Sequence, residues 1–193
     1  MLDFGPAVSE LTRVLVGVRD EQLDNLTPCS DARVRDLIDH LDTFARAFTA
    51  SAAKARQGGE HAPPPDGSRI GTDWSTRVPV RLEELATAWR DPAAWEGMSV
   101  AGPFEMPAPA VASVAIDELL VHGWDIAAAT GQAFNADADL VGAALQFVQP
   151  FVDQNPEGIP GLFGPAVNVS GDAPPLEQLL GLTGRDPSWA PSA

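Results

Sequence analysis

Apolar residues return at three- and four-residue steps along most of the chain, the spacing of one buried helical face. Between Pro6 and Leu23 the positions Val8, Leu11, Val14, Leu15 and Val18 carry this stripe and predict a first amphipathic helix, closed before Pro28. Ser30 or Asp31 is placed to cap a second, whose stripe runs through Val34, Leu37, Ile38, Leu41, Phe44, Ala45 and Phe48 until Gly58 and Gly59 stop it. From Gln57 to about Val80, consecutive prolines among glycines and polar residues leave no room for a regular element. A loop longer than about 15 residues inside a compact domain is usually a lid or a disordered excursion. Leu82, Leu85, Ala86 and Trp89 predict a short third helix ending before Pro92; Pro107 or Pro109 opens a fourth that runs to Gly131. Leu140, Val141, Ala144, Leu145, Val148, Phe151 and Val152 give a fifth, and Leu176, Leu179 and Leu180 a last short one. Val167 and Val169 offer the one short strand candidate.

With strand patterns this scarce, the economical architecture is all-α: a four-helix bundle with short peripheral helices and a long loop after the second helix, built as one domain of residues 1–193. That length buries roughly two-thirds of the unfolded surface. Hydrophobic residues at 45% and charged residues at 20% are ordinary for a globular chain. Twelve basic against 27 acidic side chains leave a net charge of −15, a field that repels phosphate backbones and anionic lipid heads and argues against a nucleic-acid or membrane partner. Asp3 stands where a secretory leader needs basic residues, and no apolar run approaches the roughly 20 residues of a membrane span. A lone cysteine, Cys29, has no internal disulfide partner. Together these features predict a soluble cytoplasmic protein.

Chemistry concentrates in the fourth helix, IDELLVHGWDIAAATGQ. At about 100° per residue its stripe of Val111, Val114, Ala115, Val121 and Ile126 has Glu118, His122 and Asp125 in its midst. A buried carboxylate costs several kcal/mol unless it is paired or coordinated, so this cluster requires a counter-charge. Glu118 and His122, at i and i+4, lie on one face and can share an ion. His40, on the shoulder of the second helix's stripe, can face the same interior. Two histidines and a carboxylate with open positions is the composition of catalytic zinc centres and of non-haem iron centres. Asp125, one turn past His122, is placed either to orient a ligand imidazole or to receive an arginine. His61, in the proline-rich loop, reads as a solvated residue and Cys29 as buried filler. No phosphate-binding glycine motif or nucleophile elbow occurs.

The segments TPCSDARVRDLIDHL (27–41), DELLVHGWDIAAATGQ (117–132) and GRDPSW (184–189) resemble the actinobacterial metal-binding proteins related to mycothiol-dependent maleylpyruvate isomerase, within the DinB-like helical superfamily. The likeness runs over essentially the whole chain. It implies a DinB-like bundle whose divalent metal, usually zinc, is held by a histidine of the second helix and an E-x-x-x-H pair of a later one, matching His40, Glu118 and His122. It implies mycothiol as the thiol cosubstrate. Arg185 resembles a tail arginine used near that thiol in related isomerases, although a surface ion pair explains it equally well. Ala32 stands where the family usually has tryptophan, which touches a packing contact or pocket wall rather than the metal.

The expected function is a metal-dependent thiol transferase or isomerase in which mycothiol, activated as thiolate, meets a small electrophile. The rivals are a metal- or ligand-binding bundle without turnover, and a metal-dependent hydrolase. No protein side chain is assigned as nucleophile. Whether two chains pair as a homodimer is left open, dimers being common in the superfamily.

Overall fold

The computed structural model describes residues 1–29, 32–55, 64–158 and 163–191. Within these, six helices and one hairpin follow in the order α1 (Gly5–Val16), α2 (Val34–Ala52), α3 (Trp74–Ala88), β1 (Met98–Ala101), β2 (Phe104–Pro107), α4 (Ala108–Thr130), α5 (Ala138–Gln154) and α6 (Pro175–Leu182). The protein is mostly helical, and its bundle is a closed ring. Helix α1 packs on α3 and α4, and α2 packs on the same two from the other side. Each ring helix turns its apolar stripe inward: Leu11, Leu15, Leu37, Leu41, Leu82, Leu85, Ile116 and Leu119 are fully buried. Helix α4 also carries α5 on its outer side, and α5 carries α6. Contacts on several sides explain why α4 is apolar around most of its circumference rather than along one stripe.

Close approach to α4 depends on Gly123, where an added Cβ would fall 2.7 Å from the Phe134 ring and 3.6 Å from Leu11 Cδ1. The helix ends at Gly131, whose φ of 70° supplies the left-handed cap that a side chain disfavours.

Several boundaries differ from the sequence expectation. Helix α1 stops at Val16, and the chain continues through a short 3-10 turn at Asp20–Gln22 instead of reaching Leu23 as one helix. Helix α2 starts at Val34, its first turn closed by Asp36 accepting a hydrogen bond from the Arg33 N–H at 2.9 Å, and it ends at Ala52. Ser30, Asp31, Gly58 and Gly59 lie outside the described residues. The loop after α2 is shorter than expected, because α3 begins at Trp74 and accommodates Pro79 inside it. Val167 and Val169 form no strand; that segment lies extended on α6, with Val169 against Gly181.

The hairpin was not expected. Its strands pair antiparallel from Met98↔Pro107 to Ala101↔Phe104, and it is tied to the end of α2 by Ser99 Oγ donating to the Ser51 carbonyl and Ser51 Oγ donating to the Val100 carbonyl, each at 2.7 Å. No described helix is long and apolar enough to cross a membrane.

Candidate metal centre

Helices α2 and α4 pack side by side, and this contact brings three ligand-type side chains together. Glu118 Oε2 lies 2.9 Å from His40 Nε2 and 3.1 Å from His122 Nε2. One donor atom from each residue falls within 4.8 Å of the other two. The two imidazoles meet edge to face, with centroids 4.9 Å apart and planes at 76°. Local helical geometry supplies half of this: the i, i+4 step stacks Glu118 and His122 on one face. Packing of Leu37, Ile38 and Leu41 on the flanking turns of α2 supplies the rest, since it fixes the side that His40 presents.

The cluster is neither sealed nor free in solvent. The side chains of His40, Glu118 and His122 retain 28%, 25% and 13% of their exposure. Sequence periodicity placed Glu118 and His122 in the middle of the buried stripe; the structure puts them at its edge, with a solvent-facing side. Asp125, in contrast, is fully buried at 0%. Its Oδ2 sits 3.0 Å from His122 Nδ1 and 3.2 Å from Arg185 Nη2, so it meets the imidazole and the arginine together.

Charge and hydrogen bonding within the cluster oppose the cost of its burial. Burial disfavours charge on both Glu118 and His122, but the stronger balance is mutual. Hydrogen bonds from His122 and His40 hold the Glu118 carboxyl well below its usual value despite burial. Burial presses the His122 imidazolium down, yet hydrogen bonds to Asp125 and Glu118 lift it to about 10. Each of its nitrogens faces a carboxylate, Nδ1 towards Asp125 Oδ2 and Nε2 towards Glu118 Oε2. A divalent ion would take the place of a proton at Nε2, the nitrogen that faces Glu118.

Two neighbours escaped the sequence reading. Cys29, expected as filler, is half-buried, and its Sγ falls within 4.8 Å of donor atoms of His122 and Asp125. Thr27 sets this position by donating its hydroxyl to the carbonyls of Ala32 (2.9 Å) and Cys29 (3.2 Å), closing the turn before α2. Burial pushes the Cys29 thiol up, against the pull of His122 and Arg185. Asp117, next to Glu118, is buried with Oδ1 lacking any partner; burial and the Glu118 charge raise its carboxyl to about 7. Neither could be found by helical periodicity. Arg185 is buried, donating to Asp125 and, at 2.7 Å, to the Thr183 carbonyl. His61 lies outside the described residues.

The family model described as "Mycothiol maleylpyruvate isomerase N-terminal domain" matches residues 4–127. The chain belongs to this family. The match spans α1 to all but the last turn of α4, so it contains His40, Glu118, His122 and Asp125 but not Arg185. An uncharacterized protein of Mycobacterium tuberculosis, found in two strains, is 29% identical over 177 residues, covering 89% of this chain and 90% of its own. Among solved structures, a crystal structure of the mycothiol-dependent maleylpyruvate isomerase superposes with a TM-score of 0.51 at 19% identity, covering 76% of this chain and 65% of that chain. That likeness shows a shared DinB-like fold.

Proposed function

We propose that this protein is a divalent-metal enzyme, with zinc as the ion, that uses mycothiol to transfer or isomerise a small electrophile. It acts as a single bundle domain of residues 1–193 in the cytoplasm. The observation that carries the reading is the convergence of His40, Glu118 and His122 on one point while each keeps a solvent-facing side. Two imidazole nitrogens and a carboxylate oxygen suit zinc, and the exposed side leaves room for an exchangeable position.

His40 Nε2, Glu118 Oε2 and His122 Nε2 would hold the ion, which when bound supplies the positive charge that favours thiolate over thiol. His122 would bind through Nε2, with its Nδ1 side held by Asp125. Asp125 thereby fixes the ring plane. Glu118 would supply the anionic oxygen of the ligand set, its Oε2 already facing both imidazoles. The Cys29 thiol is raised by burial, which favours its neutral form, so the nucleophile is left to the cosubstrate.

The test starts with protein purified without an affinity tag. About one ion per chain is expected. In the cobalt-substituted form, mycothiol should bring up a thiolate-to-metal absorption band, and Glu118→Gln should weaken it. Metal-dependent consumption of a small electrophile should then exceed the rate with free thiol and vanish in His40→Ala. Folded, cobalt-loaded protein that takes up no thiol would refute the reading; turnover that persists without thiol would replace it with a hydrolase.

A further inference from the structure

Arg185 comes from a part of the chain that the family model does not reach, yet it touches the carboxylate behind a candidate ligand. Its position is built with care. Helix α6 ends in a Schellman turn: the Arg185 N–H donates to the Leu180 carbonyl at 2.8 Å and the Gly184 N–H to the Gly181 carbonyl at 3.1 Å. Gly184 has a φ of 82°, and a Cβ there would come within 3.0 Å of Gly164 Cα, so the turn is held against the preceding segment. The reversal sends the arginine back to the bundle. Its Nη1 donates to the Thr183 carbonyl, while Nε and Nη2 reach the two oxygens of Asp125 at 3.5 and 3.2 Å.

A fully buried carboxylate needs such a partner, and a guanidinium meets both oxygens at once where an ammonium cannot. With Asp125 so fixed, only one orientation of the His122 ring keeps its Nδ1 contact. We propose that Arg185 is a positioning residue of the metal centre, and that docking of the α6 tail and ion binding at His40, Glu118 and His122 favour one another. This rests on the metal reading above. Coupling of this kind is reciprocal: a tail that strengthens ion binding is itself held more firmly when the ion is bound.

Both directions can be measured. In zinc titrations, Arg185→Met should weaken binding about 10-fold or more, in line with losses of groups that support metal ligands, with Arg185→Lys between it and wild type. The ligand-field spectrum of the cobalt form should shift in both variants. In the unaltered chain, zinc should slow amide hydrogen exchange at Leu180–Arg185, a readout that survives even where a variant fails to fold. Wild-type zinc affinity and an unchanged cobalt spectrum in folded Arg185→Met, or no zinc-dependent protection of the tail, would overturn the proposal. Zinc binding unaffected in His122→Ala would instead overturn the metal site itself.

Discussion

Asp39 and His40 are neighbours on α2, yet they belong to polar clusters of different kinds. Asp39 and Asp42, both buried, face the α3 side of the helix, where arginines meet them: Arg69 spans both oxygens of Asp39, and Arg77 and Arg81 converge on Asp42. Guanidinium groups stay charged at every ordinary pH, so these pairs are complete as folded. On the α4 side, among the described residues, the Glu118 carboxylate is met by imidazoles alone. An imidazole can release its proton and accept an ion in its place; a guanidinium cannot. The difference separates a cluster that braces the bundle from one that can exchange what neutralises it.

The sharpest way to break this comparison is to remove one member from each side. His122→Ala and His40→Ala should abolish tight metal binding while circular dichroism stays near wild type, because the apolar ring supplies most of the folding energy. Asp42→Ala should do the reverse, leaving metal binding intact and costing about 2 kcal/mol in chemical denaturation, as Arg81 loses its carboxylate and Arg77 keeps Asp73 and the Ile70 carbonyl. Metal titration and denaturation of all three decide whether the two roles separate.

A smaller effect lies in the pH dependence. In the metal-free protein the folded value of His122, about 10, stands above its unfolded value of about 6.5. Its stabilisation is therefore fully present below about pH 6.5 and is lost as pH climbs towards 10. Denaturation midpoints of chelator-treated protein should fall over that interval, and His122→Gln should flatten the fall. Zinc loading at pH 8 should release the His122 proton into a weakly buffered solution, and apparent affinity should rise with pH across the same range.

The smallest expected effect belongs to Asp117. Its folded value near 7 exceeds the unfolded one, so ionisation penalises the fold increasingly from about pH 4 to pH 7 and no further above it. Asp117→Asn should raise metal-free stability by a margin that grows over this interval and levels off above about pH 7. A margin independent of pH would show that the carboxyl is not held in its neutral form.

How much of this was legible depended on whether position along one helix determined it. Glu118 and His122 could be read from the i, i+4 step, and His40 from its place on the shoulder of a strong stripe. The stripe residues of α1, α2, α4 and α5 declared their helices for the same reason. The hairpin did not, because two four-residue strands with no regular in-and-out alternation of burial carry too little pattern to register. The first turns of α3 were hidden by Pro79 among polar neighbours, although tertiary packing of Trp74 and Val78 overrides that local preference. Cys29 and Asp117 were invisible for a further reason: a turn and an inter-helix contact set their surroundings, and neither has a period. The double engagement of Asp125 had been left open between imidazole and arginine, and the geometry joins the alternatives.

The bare backbone at Gly123 has a bearing on how variants of this protein should be interpreted. It sits on the dry side of α4, one residue after His122, with Phe134 and Leu11 pressed into the space a methyl would fill. A single extra carbon there would press on the Phe134 ring, and a shift of the helix in response would carry the preceding residue's imidazole out of register with His40 across the gap. A clinician of enzymes, sorting substitutions by whether they touch a donor atom, would pass position 123 as harmless. Its tolerance is set instead by the 2.7 Å at which an added Cβ would meet the Phe134 ring, so the calibre of that crevice limits which neighbouring sequences can carry the site at all.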